Sequence, residues 1–442
     1  MGPFPNGRQK LQNDKLLPTL LTSLCVLCFH NETMLSIETH LSNARIRFCR
    51  ITNVIAIACL IAACQVLWMG HTLLGRTALC QGDAKAIMPP RQQTSRVLWG
   101  DETVVRKLAR AFRQWNLEKN PYPCYPAEKN WNRTEILRSP ATEGILFVRN
   151  MKTGSSTLAG VAIRIARALA RKTKKGGREK LCKVRWDHTP AFLLQYGQRD
   201  KRKSFLWSFV RDPTDRAVSE FFHFGVSRRK MEPSDKNFVE YLMDRKYTNN
   251  YFLQDMSTKQ FRPKLAPNVT SFVESIMDDY DFIGLAERMD ESLVIMKMLL
   301  HLDMNDILYL SAKQSGGFDE GGYNKTCTYI VPSFVTSGMK HYFASPYWRK
   351  HTAGDCMLVQ VVNRSLDLTI DALGRQEVEE QLAEFRLAKA YAEEKCGPST
   401  IYPCSAGGVH NARNHSCLWW DSGCGYKCLD GLKKRNAVKV KQ

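Results

Sequence analysis

A chain of 442 residues, 44% hydrophobic and 24% charged, carries enough apolar material for a sizeable core and is neither fibrous nor disordered in composition. Its formal net charge of +21 asks for an acidic partner, such as a nucleotide, an anionic membrane surface or an acidic polysaccharide. Nucleic acid is set aside, because no zinc-finger spacing, RNA-binding signature or repeat period accompanies the charge.

Residues 1–50 read as a cytoplasmic tail without clear periodicity. The apolar stretch 16–29 lacks a small-residue cleavage site and reads as tail or interfacial segment. Between Arg50 and Arg76 lie 25 residues without a charge, more than the about 20 a helix needs to cross a bilayer. Residues 51–72 are therefore expected to be a transmembrane signal anchor. Arg45, Arg47 and Arg50 stand just before it, which puts the N-terminus in the cytosol and the rest of the chain in a lumen. Ten of the 15 cysteines follow the span, an even number compatible with full pairing in an oxidising compartment. Five Asn-x-Ser/Thr triplets, at Asn132, Asn268, Asn324, Asn363 and Asn414, also follow it. Together these features predict a type II secretory-pathway protein.

Residues 73–140 read as a stem and lead-in helix, the helix capped by Asp101 with Val104, Val105, Leu108, Phe112 and Trp115 on one face. From Gly144 the pattern alternates. Gly144–Arg149 is a strand of buried type and Ser155–Arg171 its helix; Ser204–Val210 is a second strand, feeding a helix from Pro213. Phe282–Ala286 with Met289–His301 repeats the unit, and Ile307–Leu310 is expected as a fourth strand. Such alternation predicts an α/β domain over 141–395 with a parallel sheet flanked by helices. Leu373–Lys395 reads as one long helix, and 396–442 as a Cys-rich, disulfide-stapled C-terminal extension.

Two segments carry phosphate-binding chemistry. Lys152-Thr153-Gly154-Ser155-Ser156-Thr157 joins the first strand to its helix, where free N–H groups and the helix dipole favour an anion. It is not a Walker A loop, since the lysine precedes the glycine. Arg211 leaves the carboxyl end of the second strand, where open α/β sheets bind ligands, and Ser219 follows about two helical turns later. Arginine suits bidentate phosphate binding.

The pair resembles the two donor-binding signatures of the sulfotransferases. The resemblance implies a P-loop-like fold and 3′-phosphoadenosine 5′-phosphosulfate as co-substrate, with Lys152 through Thr157 on its 5′-phosphosulfate and Arg211 and Ser219 on its 3′-phosphate. Phe282–Val294 and Asp306–Leu310 are similar to a block of the membrane-bound galactose 3-O-sulfotransferases, and His188–Gly225 to a stretch of the uronyl 2-O-sulfotransferases that contains a catalytic histidine. The family pattern often has His or Pro where this chain has Asn150 and Met151. The implied protein is a Golgi enzyme, single-pass and anchored in the membrane, with a glycan acceptor, no metal, and a homodimer left open.

Within that reading His188 is the expected base and Lys152 the group that stabilises the leaving oxygen, with Asp187 either orienting the imidazole or pointing away. Glu220 and His223 stand in reserve. Ten Lys/Arg between Arg164 and Arg185 form either a solvated run or a lure for a polyanionic acceptor. Two other readings compete. Asp279 and Asp281 form an Asp-x-Asp triplet of the kind a metal-dependent glycosyltransferase uses. Trp419 and Trp420 would suit a non-catalytic glycan-binding protein, or simply pack in the Cys-rich module.

Overall fold

The computed structural model describes residues 108–116, 124–126, 143–172, 180–182, 184–243, 249–262, 268–313, 315–320, 326–411 and 414–439. The expected anchor at 51–72 lies outside these residues. Among the described residues, no helix is long and apolar enough to cross a membrane.

Strand β1 (Cys124–Pro126) pairs antiparallel with β3 (Lys180–Cys182). The main sheet is four-stranded and wholly parallel, in the order β4 (Val184–Asp187), β2 (Gly144–Val148), β5 (Ser204–Val210), β6 (Phe282–Leu285). Helix α1 (Ser155–Lys172) returns the chain from β2 and packs on β2 and β4. Parallel strands covered by helices read as unbroken apolar runs. Accordingly every residue of β2, β5 and β6 is buried. Trp207 of β5 stacks on Phe147 of β2 at 4.3 Å between ring centroids, and large side chains of this kind each contribute about 1.5–3 kcal/mol by burial.

The fourth strand is Val184–Asp187, not Ile307–Leu310. Residues Met304–Ile307 instead form a short helix, because Asp303 and Asp306 cap each other reciprocally at its start. Four apolar residues do not distinguish the two outcomes. Phe112 and Trp115 likewise do not share a helix face with Leu108. The chain at 112–116 is not helical, and the Arg113 and Trp115 amides donate to Ser365 Oγ at 3.0 Å and Thr369 Oγ1 at 2.9 Å, with Trp115 buried in the core.

After β5 come α2 (Pro213–Glu220), a π-helical segment (Phe221–Arg228), α3 (Asp235–Met243), α4 (Tyr251–Met256) and α5 (Val269–Asp279). The π segment is held by Ser227 Oγ, which donates to the Phe222 carbonyl five residues back at 2.6 Å. Its rings, Phe221 and Phe222, seed a second apolar cluster with Phe238, Phe343 and Trp348. Beyond β6 lie α6 (Met289–Leu299), α7 (Met304–Ile307), the hairpin β7 (Phe318–Glu320) and β8 (Cys327–Tyr329), and α8 (Ser337–Ala344).

The 28-residue helix α9 (Pro346–Leu373) opens with Ser345 as cap and Pro346 in its first turn. Gly374 ends it, and the expected long helix starts there as α10 (Arg375–Cys396). The Cys-rich segment is no separate appendage. Cys396–Cys428 and Cys417–Cys424 close it internally, Cys327–Cys404 fastens it to β8, and α11 (Tyr426–Lys439) ends the described chain. Of the Asn-x-Ser/Thr triplets, Asn414 is exposed, Asn268 caps α5, and Asn132 and Asn324 lie outside the described residues. Asn363 accepts from Arg288 at 2.7 Å.

Candidate active site at the carboxyl edge of the sheet

In the strand order β4-β2-β5-β6 the chain leaves β2 towards β4 and later crosses back to β5. The switch point therefore lies between the carboxyl ends of β2 and β5, where α/β sheets place ligands. A cleft of about 560 Å³ opens there. Its lining includes Lys152, Gly154, Ser155, Ser156, His188, Arg211 and Ser219, drawn from three separate stretches of sequence.

The first wall is the turn after β2. Lys152 and Gly154 both adopt left-handed backbone, at φ 64° and 74°, which a lysine takes only under constraint. The constraint comes from the residues around it. Asn150 is fully buried and donates Nδ2 to Ser208 Oγ at 3.0 Å and the Phe209 carbonyl at 2.9 Å, stitching the turn to β5. The Met151 amide donates to Tyr251 Oη at 2.8 Å. Asn150 and Met151 therefore fix the turn by their own bonds, whatever stands there in other sequences. Leu158 is the residue whose N–H reaches back to the Gly154 carbonyl, which leaves the first-turn N–H groups ahead of it directed at the cleft.

Two expected donors are not available. Thr153 is buried, and its hydroxyl donates to the Asn150 carbonyl at 2.9 Å. Thr157 Oγ1 accepts from the Ala312 amide at 3.1 Å. Neither side chain lines the cleft, so only their backbone can serve an anion. The hydroxyls of Ser155 and Ser156 do line it.

Arg211 and Ser219 form the second wall. Asp212 caps α2 by accepting from the Thr214 and Asp215 amides, while its own amide donates to Glu287 Oε1 at 2.9 Å, so the strand end is fixed. Arg211 donates to the Lys152 carbonyl at 3.1 Å, joining the two walls directly. Its only carboxylate among the described residues, Asp215, lies at 3.9 Å and is half exposed, a weak pair.

His188 stands at the rim, two residues after Trp186 of β4. Its Nδ1 meets the Arg149 carbonyl at 2.5 Å. A carbonyl only accepts, so Nδ1 carries the proton and Nε2 keeps the basic lone pair. Desolvation, then the Arg149 charge, lower its pKa, and the imidazole is neutral at neutral pH. Asp187 points elsewhere: its Oδ1 accepts from the Thr189 amide at 2.9 Å and hydroxyl at 2.8 Å. The reserve candidates do other work. Glu220 is buried against Arg216 at 2.6 Å. His223 is buried with Nε2 3.5 Å from Asp319, and desolvation and the neighbouring cations push its pKa to about 2.

No local sequence pattern marks the third wall. Arg149, Arg228 and Lys313 add three cations, placed by the end of β2, the π segment and the turn before β7. Buried Asp319 accepts from Arg228 at 2.7 Å and forms an ion pair with Lys313 at 3.1 Å; Asp421 meets Lys313 at 2.5 Å and Arg149 at 3.7 Å. Lys152 has no carboxylate within ion-pair distance among the described residues. Burial first, then Lys313, lower its pKa to about 8, which leaves it mostly charged at neutral pH.

Residues 135–350 match the family model described as Sulfotransferase family. The chain carries a sulfotransferase domain. No curated protein and no solved structure matches it. That domain makes the chain an enzyme and implies 3′-phosphoadenosine 5′-phosphosulfate as the donor.

The cleft of the sulfotransferase domain fits that donor by charge. Among the described residues, Arg149, Arg228 and Lys313 are paired with Asp319 and Asp421, whereas Lys152 has no carboxylate and Arg211 only the half-exposed Asp215 at 3.9 Å, which leaves these two for the ligand. The rival Asp-x-Asp reading fails on its surroundings. Asp281 accepts from the Leu206 amide at 2.8 Å and pairs with Arg199 at 2.9 Å; Asp279 meets Thr258 and Lys201. Both stand at the opposite, amino edge of the sheet. Among the described residues no cluster of His, Cys, Asp or Glu could hold a metal ion. The basic run 164–185 is in part structural, for Arg164 is buried on the Leu308 and Asn305 carbonyls and on Asp430, and Arg185 is buried near Asp187.

Proposed function

We propose that the enzyme transfers a sulfuryl group from 3′-phosphoadenosine 5′-phosphosulfate to a carbohydrate hydroxyl, as a type II protein anchored in the Golgi membrane. The observation that carries this reading is the meeting of Lys152, Arg211, Ser219 and His188 around one cleft at the switch point. The Lys152 turn and the α1 N-terminus receive the 5′-phosphosulfate, while Arg211 and Ser219 receive the 3′-phosphate.

The acceptor hydroxyl attacks sulfur in line with the bond to the bridging oxygen. Its proton passes to His188 Nε2, whose lone pair is kept available by the Nδ1 bond to the Arg149 carbonyl. The sulfur–oxygen bond breaks, the electron pair goes to the 5′-phosphate, and the Lys152 ammonium neutralises that oxygen as its charge grows. Buried placement strengthens this interaction over what water would allow. A galactose 3-hydroxyl is the acceptor suggested by the resemblance of residues 282–294 to the galactose 3-O-sulfotransferases. The test is labelled sulfate transfer from the donor to a panel of glycans, with linkage analysis of the product. Transfer to galactose position 3 is expected. Failure to sulfate any glycan, with donor binding intact, overturns the acceptor class.

A further inference from the structure

Residues beyond 350 lie outside the family match, yet one of them reaches the cleft. The loop closed by Cys417–Cys424 folds back as a tight turn, in which the Ser422 amide donates to the Trp419 carbonyl at 2.7 Å. This turn holds Trp420 at φ 47°, a conformation that costs a bulky residue free energy and persists only when its surroundings enforce it. Trp419 packs edge-on against Trp186 at 5.9 Å, next to the His188 rim.

The result is that Asp421 projects into the third wall. Its carboxylate meets Lys313 at 2.5 Å, Arg149 at 3.7 Å and the Ser156 hydroxyl at 3.5 Å. Arg149 in turn donates to Ser156 Oγ at 2.7 Å and offers its carbonyl to His188. One carboxylate thus ties together a cleft cation, the arginine beside the base, and a hydroxyl of the donor turn. The loop reaches this position because α1 has a glycine beneath it. A Cβ on Gly160 would stand 2.2 Å from the Gly423 nitrogen and 2.6 Å from its Cα, backbone atoms that cannot step aside.

We infer that Asp421, on the Cys417–Cys424 loop, is a positioning residue of the donor site, holding Arg149, Lys313 and Ser156 in place for the phosphosulfate end of the nucleotide. This inference rests on the donor reading proposed above. It opposes a simple alternative by sign. If Asp421 were merely an anion competing with the ligand, its removal would tighten donor binding; if it positions the cations, removal loosens binding.

The experiment is calorimetric titration of the full chain with adenosine 3′,5′-bisphosphate, together with steady-state kinetics on the donor. Asp421→Asn is expected to raise both the dissociation constant and the donor KM about 10-fold, with kcat changed far less. Asp421→Glu, which keeps the charge, is expected to recover part of that loss. Gly160→Ala leaves every charge in the cleft intact and favours the helix, yet it displaces the loop and should raise KM in the same direction. Unchanged or tighter binding in Asp421→Asn overturns the inference. Should that variant not fold, normal donor KM in Gly160→Ala overturns it instead. Wild-type protein that fails to bind the bisphosphate refutes the donor reading itself, a result distinct from wild-type binding matched by the variant.

Discussion

The two edges of the parallel sheet use the same residue types to opposite ends. At the amino edge, Asp281 is matched by Arg199, and Asp279 by Lys201 and Thr258, so charge is cancelled where it stands. At the carboxyl edge, among the described residues, five cations share the carboxylates of Asp215, Asp319 and Asp421, and Lys152 is left without one. Backbone direction accounts for the difference. Helices that follow parallel strands present their N-termini at the carboxyl edge, and these dipoles and open N–H groups favour an incoming anion over an internal carboxylate. A charged motif therefore acquires its meaning from the edge it occupies.

The sharpest way to break this comparison is to remove the unmatched cation. Lys152→Ala should lower kcat about 1,000-fold, the scale of one lost electrostatic contact to a developing oxyanion, with the melting temperature little changed. Turnover near that of wild type would move the chemistry elsewhere. His188→Ala comes next, at about 100-fold in kcat, from the loss of the proton acceptor. Arg211→Ala acts on binding. The donor dissociation constant should rise about 10- to 100-fold while kcat holds within a few-fold, as expected for a charged hydrogen bond to the far end of the nucleotide.

These residues differ in how far sequence exposed them. Lys152, Arg211 and Ser219 were legible because strand, turn and helix put them at a predictable edge, and three of the four sheet strands, at 144, 204 and 282, announce themselves as buried apolar runs. The fourth, Val184–Asp187, hides in a basic stretch, since Arg185 is buried within it. Thr153 and Thr157 look identical to Ser155 and Ser156 in sequence, and only packing turns their hydroxyls to Asn150 and Ala312. Arg228, Lys313 and Asp421 had no local signal. They converge through a π-helical turn, a hairpin and a disulfide loop, all contacts between residues distant along the chain.

Acidity sharpens the comparison further. Burial and neighbouring cations hold Lys152 at about 8, down from 10.5, so the charged form is lost as pH rises through that value. The kcat/KM for the donor should fall above pH 8, up to about 10-fold by pH 9. The bound donor adds negative charge beside the ammonium, raises its pKa, and shifts the alkaline limb of kcat to higher pH. On the acid side, His188 is lowered below its usual range, so no loss of base is expected near pH 6.5. An alkaline limb that persists unshifted in a Lys152→Arg variant would assign it to another group.

The smallest expected effect tests the other edge. Asp279 accepts from Thr258 and pairs with Lys201, whose side chain is more than half exposed, and such a pair contributes about 0–1 kcal/mol. Asp279→Asn keeps the size of the side chain and an oxygen acceptor for Thr258. Sulfate transfer should stay within about two-fold of wild type, with thermal stability lowered by no more than about 1 kcal/mol. Chelator in the assay should change neither protein. A metal-holding role for the triplet requires the reverse, since one carboxylate fewer on a divalent ion costs most of the activity and the remainder becomes sensitive to chelator. Only that outcome would give the amino edge a part in the reaction; the one expected leaves its carboxylates the task of closing the sheet with matched charges.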